Sequence, residues 1–228
     1  HVASYGRTAP GNPEPPSPET LLWVGSLSKQ FTAAATLSLV DAGTLSLDQT
    51  VTSFFPELPA SALSLEGEDC TVARLLRATC GIPRQLGSPS AFSGVSTDPK
   101  VQDRFLDAMA TASLEFAPGS DHLYSNVGYD LAGLLVERVA QAPMDAVLAP
   151  LLQRAGMTST GIDSDTVAGF DDRIAWGQFT LLGPAWSGRW LRLGPRKPSD
   201  IGAAGNVFST AADMARWTSA LHSGALLS

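Results

Sequence analysis

Along this chain, apolar residues gather into helical stripes and short runs, set apart by stretches rich in proline, glycine and serine. The run Leu21-Leu22-Trp23-Val24 is too short for a helix and reads as a buried strand. A long helix is predicted next, opening at Ser26 or Ser28 and ending at Ala42, where Gly43 suits a left-handed stop. With Thr32, Ala33, Ala34, Ala35 and Thr36 it has no wide polar face, as befits a central, closely packed helix. Val101, Phe105 and Met109 recur at helical spacing behind the cap signal Asp98-Pro99, predicting an amphipathic helix that lies on the core. Leu131, Leu134, Leu135 and Val139 predict another from Val127 to Ala140, and a further helix follows from Met144 to Ala155. The last carries Met214, Trp217 and Leu221, with Ser209 or Thr210 as cap and Gly224 as stop.

Between these elements the pattern is weaker. Val2 and Tyr5 suggest a fragment of strand, Asp48 caps a short unit that Pro56 ends, and Thr71 to Ala78 reads as a short helix. Residues 87–99 form a loop. From Gly161 to Pro198 there is little periodicity, and Trp176, Phe179, Trp186 and Trp190 read more readily as cover for an exposed flank than as a substrate groove. No repeat or heptad run is present.

Composition narrows the functional classes. The 228 residues carry 15 Lys and Arg against 22 Asp and Glu, a net charge of −7. Arg189, Arg192, Arg196 and Lys197 form the one basic cluster, which suits a solvated loop better than a nucleic-acid footprint. Cys70 and Cys80 flank the short helix, whose rise would hold them beyond disulfide reach, so no bridge is expected. No apolar run is long enough to span a membrane, and the first residues lack a signal-peptide layout. The chain starts at His1 rather than Met, so residues upstream are expected to be missing. His1, His122 and His222 are scattered, giving neither zinc-site spacing nor a convincing Ser-His-Asp base, and no cofactor is implied.

The candidate chemistry lies at the start of the first long helix. Gly25-Ser26-Leu27-Ser28-Lys29 contains S-x-x-K, and on a helix residues three apart share a face, so the Ser26 hydroxyl and the Lys29 amine can meet. A serine nucleophile needs a base to take its proton, and a deprotonated lysine can serve. The same serines also suit a helix cap. A second group lies after the Pro118-Gly119 turn. Tyr124 and Asn126 occupy a loop-to-helix junction, where polar groups often face a cleft, although Asn126 also suits a cap and Tyr124 an ordinary half-buried tyrosine.

Three stretches in this order resemble the serine β-lactamase-like hydrolases, which include class C β-lactamases, D-alanyl-D-alanine carboxypeptidases and related esterases. They are Gly25 to Thr32, Pro118-Gly119 leading to Tyr124-Ser125-Asn126, and Gly205 to Met214. Leu45 to Leu58, Thr71 to Ile82 and Leu151 to Thr160 are similar as well, so the resemblance covers most of the chain from Leu21 to the end. It implies an α/β (α+β) fold in which a helical region packs on an antiparallel sheet, a sheet largely incomplete in this chain. Residues 1–60 and 199–228 would be the sheet-associated part with the nucleophile helix, and 61–198 the mainly helical region carrying Y-x-N.

The resemblance also implies roles. Ser26 would be the nucleophile, Lys29 its base or base partner, Tyr124 a proton relay to the leaving group, and Asn126 the group that orients Lys29 and the substrate. The Ser26 backbone N–H would supply half of an oxyanion hole. The substrate would be an ester, a β-lactam or a D-Ala-type peptide, and the location periplasmic or secreted. Two departures stand out. The third motif, K-T-G or H-x-G, is expected downstream of Gly224, and nothing after His222 matches it, so a partial chain is expected. Cys80 stands in Ala78-Thr79-Cys80-Gly81 where relatives commonly carry serine. A non-catalytic relative that binds peptidoglycan-like peptides or a protein partner, and a truncated product without activity, are the alternatives.

Overall fold

In the computed structural model, which describes residues 3–9, 11, 12, 14–86, 99–162, 169–175, 177–179, 189–191 and 203–227, the elements follow in the order β1 (Leu22–Trp23), α1 (Ser28–Asp41), β2 (Ser64–Leu65), β3 (Glu68–Asp69), α2 (Val72–Leu76), α3 (Pro99–Ala110), α4 (Asn126–Ala140), α5 (Met144–Arg154), α6 (Phe170–Arg173), β4 (Gly177–Phe179), β5 (Arg189–Leu191), β6 (Phe208–Ser209) and α7 (Ala211–His222). Short 3-10 turns occupy 25–27, 51–54 and 60–62. Val2, Asp98, Trp176, Trp186, Arg192, Arg196 and Lys197 lie outside the described residues, as does most of the predicted loop 87–99.

The helices start where side chains satisfy their first N–H groups. Ser125, not Asn126, caps α4, with Oγ accepting the Gly128 N–H at 3.0 Å. Thr210 caps α7 by accepting from Asp213 N–H at 3.1 Å, and Thr71 caps α2. The turn at 51–54 starts after Thr50 rather than Asp48, and Tyr5 is exposed outside any strand. At the entry to α1, Gly25 has φ +52, a left-handed conformation that turns the chain sharply from β1 into the 25–27 turn.

Two large apolar clusters, with a small third of Leu21, Ile174 and Phe208, form the core among the described residues. Phe105, Leu106 and Met109 of α3 join Val72 and Leu75 of α2 and Leu131, Leu134 and Leu135 of α4 in the first. In the second, Phe31, Ala34 and Ala35 of α1 meet Leu148 and Leu151 of α5, Trp217 of α7 and Val136 from the far side of α4. Phe31 stacks on Trp217 at 4.2 Å between ring centroids, and the Trp217 indole N–H donates to Gln30 Oε1 at 2.8 Å. A fully buried side chain of this size contributes about 1.5–3 kcal/mol through apolar burial alone. The helix α4 thus belongs to both clusters and packs closely on α1.

The strands are short. β1 pairs antiparallel with β6, Leu22 opposite Ser209 and Trp23 opposite Phe208, while β2 pairs with β3 and β4 with β5. Leu21 bridges in parallel to Ile174, and Gly161 bridges to Phe208, so remote segments meet beneath the start of α1. No described helix is long and apolar enough to cross a membrane.

The cysteine expectation is overturned. Cys70 and Cys80 form a disulfide, with Cα atoms 5.1 Å apart. The helix between them covers five residues rather than the whole interval. Thr71 before it is extended and Ala78 after it has φ 56, so the chain doubles back instead of climbing. Gly81 completes the reversal at φ +75, where an added Cβ would lie 2.2 Å from Phe116 O.

Candidate active site

Two helix starts converge at the site. Ser26 sits exposed on the turn before α1, and Lys29 lies one turn further on, only 8% exposed. In a 3-10 turn, side chains three apart nearly eclipse, which draws the two together. From the other side, α4 begins at Asn126. Because Ser125 provides the cap, and also donates its Oγ–H to Pro83 O at 2.8 Å, the Asn126 side chain is left to reach Lys29. Tyr124 precedes the cap in a segment laced to the disulfide hairpin: Glu115 N–H donates to Gly81 O at 2.8 Å, Gly119 N–H to Thr79 O at 2.7 Å and Leu123 N–H to Ala78 O at 3.0 Å.

All four predicted residues meet at one nitrogen. Lys29 Nζ donates to Tyr124 Oη at 2.7 Å, Asn126 Oδ1 at 2.8 Å, Ala204 O at 2.9 Å and Ser26 Oγ at 3.3 Å. The Tyr124 hydroxyl in turn donates to Ser26 Oγ. An ammonium group has three protons, and four acceptors surround this one. The Asn126 and Ala204 oxygens can only accept, so they hold two N–H groups. The remaining position faces two hydroxyls, each able to give or take a proton.

The electrostatics follow from the same contacts. Burial acts to raise the Tyr124 phenol, but the hydrogen bond from Lys29, the contact with Ser26 and the lysine charge outweigh it and hold the phenol below its ordinary range. Asp130, one turn into α4, is pushed up to about 7 by burial, against the opposing pull of the Ala204 N–H and the Lys29 charge. Tyr129 is raised by burial and by Tyr124, and its ring centroid lies 5.7 Å from Lys29 Nζ.

Two contributors escaped the sequence reading. The Ala204 carbonyl is a backbone atom and leaves no side-chain signature. Asp130 leaves one, since an acid between the inward-facing Val127 and Leu134 interrupts an apolar stripe. The segment that carries Ala204 is fixed by further contacts from α1 and β1. Thr32 Oγ1–H donates to Ala203 O at 2.7 Å, Ser28 Oγ accepts the Val207 N–H at 2.9 Å, and the Trp23 indole N–H donates to Gly205 O. His122 and His222 are exposed, and the His122 N–H bonds to Asp121 Oδ1 and the His222 Nδ1 to Thr218 O rather than to this group. Phe179 and Trp190 fall in the β4–β5 pair, with Gln178 opposite Trp190.

A family model described as Beta-lactamase matches residues 1–228. The D-alanyl-D-alanine-carboxypeptidase/endopeptidase AmpH of Escherichia coli strain K12 is 27% identical, over 94% of this chain and 52% of its own length. Esterase EstB of Burkholderia gladioli is 34% identical, over 64% of this chain and 39% of its own. Among solved structures, the D-amino acid amidase from Ochrobactrum anthropi SV3 superposes with a TM-score of 0.77 at 26% identity, covering 97% of this chain and 61% of that one. The chain therefore spans about half or less of the length of these curated relatives.

Proposed function

Because the chain belongs to the β-lactamase family, we propose that it acts as a serine hydrolase through an acyl-enzyme on Ser26. The observation that carries this reading is the position of Lys29 Nζ, within hydrogen-bond reach of Ser26, Tyr124 and Asn126 at once. With the pair one proton short, as the lowered Tyr124 phenol allows, Ser26 Oγ bonds to the substrate carbonyl carbon and its proton passes to the Tyr124 oxygen beside Lys29. The carbonyl oxygen becomes an oxyanion, and the Ser26 backbone N–H, at the start of a helix, would donate to it. Collapse of this intermediate breaks the bond to the leaving group, which takes a proton from Tyr124. Water then attacks the acyl-enzyme, gives its proton to the same pair and releases the acid, restoring the Ser26 hydroxyl. Asn126 holds Lys29 in place and turns its amide toward the substrate.

Relatives named as a carboxypeptidase, an esterase and an amidase all act on a carbonyl carbon and differ in the leaving group. A small ester, a β-lactam or a D-Ala-type peptide is accordingly the proposed substrate class. Incubation with a chromogenic ester, a chromogenic β-lactam and a D-Ala-D-Ala peptide tests it. Turnover of at least one is expected, reduced by roughly a thousandfold or more in Ser26→Ala, since loss of a nucleophile removes the whole covalent route. No turnover of any of the three, or equal turnover in the variant, would overturn the proposal.

A further inference from the structure

The apolar stripe of α4 carries one acid, and it faces the segment that holds Lys29. Asp130 is 5% exposed, and its Oδ1 accepts the Ala204 N–H at 3.1 Å. The carbonyl of that same Ala204 accepts from Lys29 Nζ at 2.9 Å. Asn126 and Asp130 are four residues apart on one helix and therefore share a face. One takes a Lys29 proton directly, and the other acts on Lys29 through the backbone of a single residue. Among the described residues the other hydrogen bonds to the 203–207 segment come from Trp23, Val24, Ser28, Lys29 and Thr32, and Asp130 supplies its hydrogen bond to α4. Burying a carboxyl with a neutral N–H partner is costly, and a neutral side chain would hold the segment as well. An ionisable acid where a neutral side chain would serve therefore points to a use beyond packing.

We propose that Asp130 is a positioning residue for Lys29: it holds the Ala204 carbonyl against the lysine, and its charge favours the proton taken from Ser26 resting on the Tyr124–Lys29 pair. This inference rests on Ser26 and Lys29 being the reacting pair. The elements packed on α4 present Lys29 from α1, Asp145 from α5 beside Glu137, and Glu57 paired with Arg138 near the 51–54 turn. Among the described residues the Lys29 charge is the one that bears on Asp130, and the rings of Tyr124 and Tyr129 lie 4.5 and 5.7 Å from that lysine's Nζ. Since the carboxyl titrates at about 7, its charge appears across the neutral range, and acylation should quicken as it does.

Asp130→Asn keeps the acceptor and removes the charge, whereas Asp130→Ala removes both. Two measurements on the full chain separate the proposal from the hydrolase reading: the Ala204 amide-proton shift by NMR from pH 5 to 9, and the rate of labelling by a fluorophosphonate over the same range. In the wild type the Ala204 amide should titrate with a midpoint near 7, and in Asp130→Asn that titration should vanish. Labelling of Asp130→Asn should lose its inflection near 7 and be slower by roughly tenfold at pH 8, about one unit in a proton-transfer equilibrium. Asp130→Ala should be slower still, and if it does not fold, Asp130→Asn alone decides. A wild-type Ala204 amide that ignores pH, or a folded Asp130 variant with the wild-type rate and profile, overturns the proposal. An Ala204 amide that titrates in a chain that never labels supports the contact and sinks the hydrolase reading instead.

Discussion

Lys29 has four acceptors for at most three protons, and this imbalance governs the chemistry proposed at Ser26. The obligate acceptors on Asn126 and Ala204 fix two positions of the nitrogen, and the proton in dispute moves between hydroxyls. Tyr124 then gives Ser26 a second, tighter route to Lys29 beside their direct 3.3 Å contact. Replacing Tyr124 by Phe removes the hydroxyl and leaves the ring, so the acylation rate should fall by roughly 10²–10⁴-fold, the size of a lost proton-transfer group. The melting temperature should hardly move, because Tyr124 is 41% exposed. Stopped-flow labelling measures the first and a thermal melt the second, and a rate within twofold of wild type would remove Tyr124 from the reaction. The wild-type rate should also rise with pH, since the phenol is held below its ordinary range and loses its proton sooner. At this scale much was legible. Ser26 and Lys29 announced themselves by spacing, and Tyr124 and Asn126 by standing at a loop-to-helix junction. Ala204 was not legible, because any residue has a carbonyl and only the fold aims it.

The starts of α1, α4 and α7 were read to within a residue or two, with Thr210 among the caps named, although Ser125 rather than Asn126 caps α4. The error fell on the interval from Cys70 to Cys80. The distance argument assumed one continuous rise, whereas the helix stops at Leu76 and Ala78 turns left-handed. That reversal matters beyond the bridge, since the hairpin it closes carries the carbonyls of Ala78, Thr79 and Gly81 on which the approach to Tyr124 hangs. Cys80→Ala should therefore destabilise the chain by about 3 kcal/mol, the chain-entropy value for a loop of this length. Urea unfolding with and without reductant measures it: the wild type in reductant should approach the variant, and a variant as stable as the oxidised wild type would contradict the bridge. Labelling should slow as well, through looser placement of Tyr124.

Seen whole, the molecule places the proposed chemistry where its two cores meet. The Ser26–Lys29 end of α1 belongs with the cluster around Phe31 and Trp217, and α4, which brings Asn126, is shared with the cluster around Phe105 and Leu131. Periodicity revealed these helices one at a time. Pairings such as Leu22 with Ser209 and Leu21 with Ile174 join residues far apart in sequence, and two-residue strands have too little alternation to announce a partner. The family resemblance reached further, because motif order records which remote segments converge. The central claim is that Ser26 becomes acylated with Lys29 and Tyr124 taking its proton. The most direct test is the intact mass of the folded chain after exposure to a fluorophosphonate or a penicillin, with the adduct mapped by peptide sequencing. One adduct per chain, on Ser26 and absent from Ser26→Ala, is the predicted result. A folded chain that takes up neither reagent, or takes it up at another residue, would contradict it.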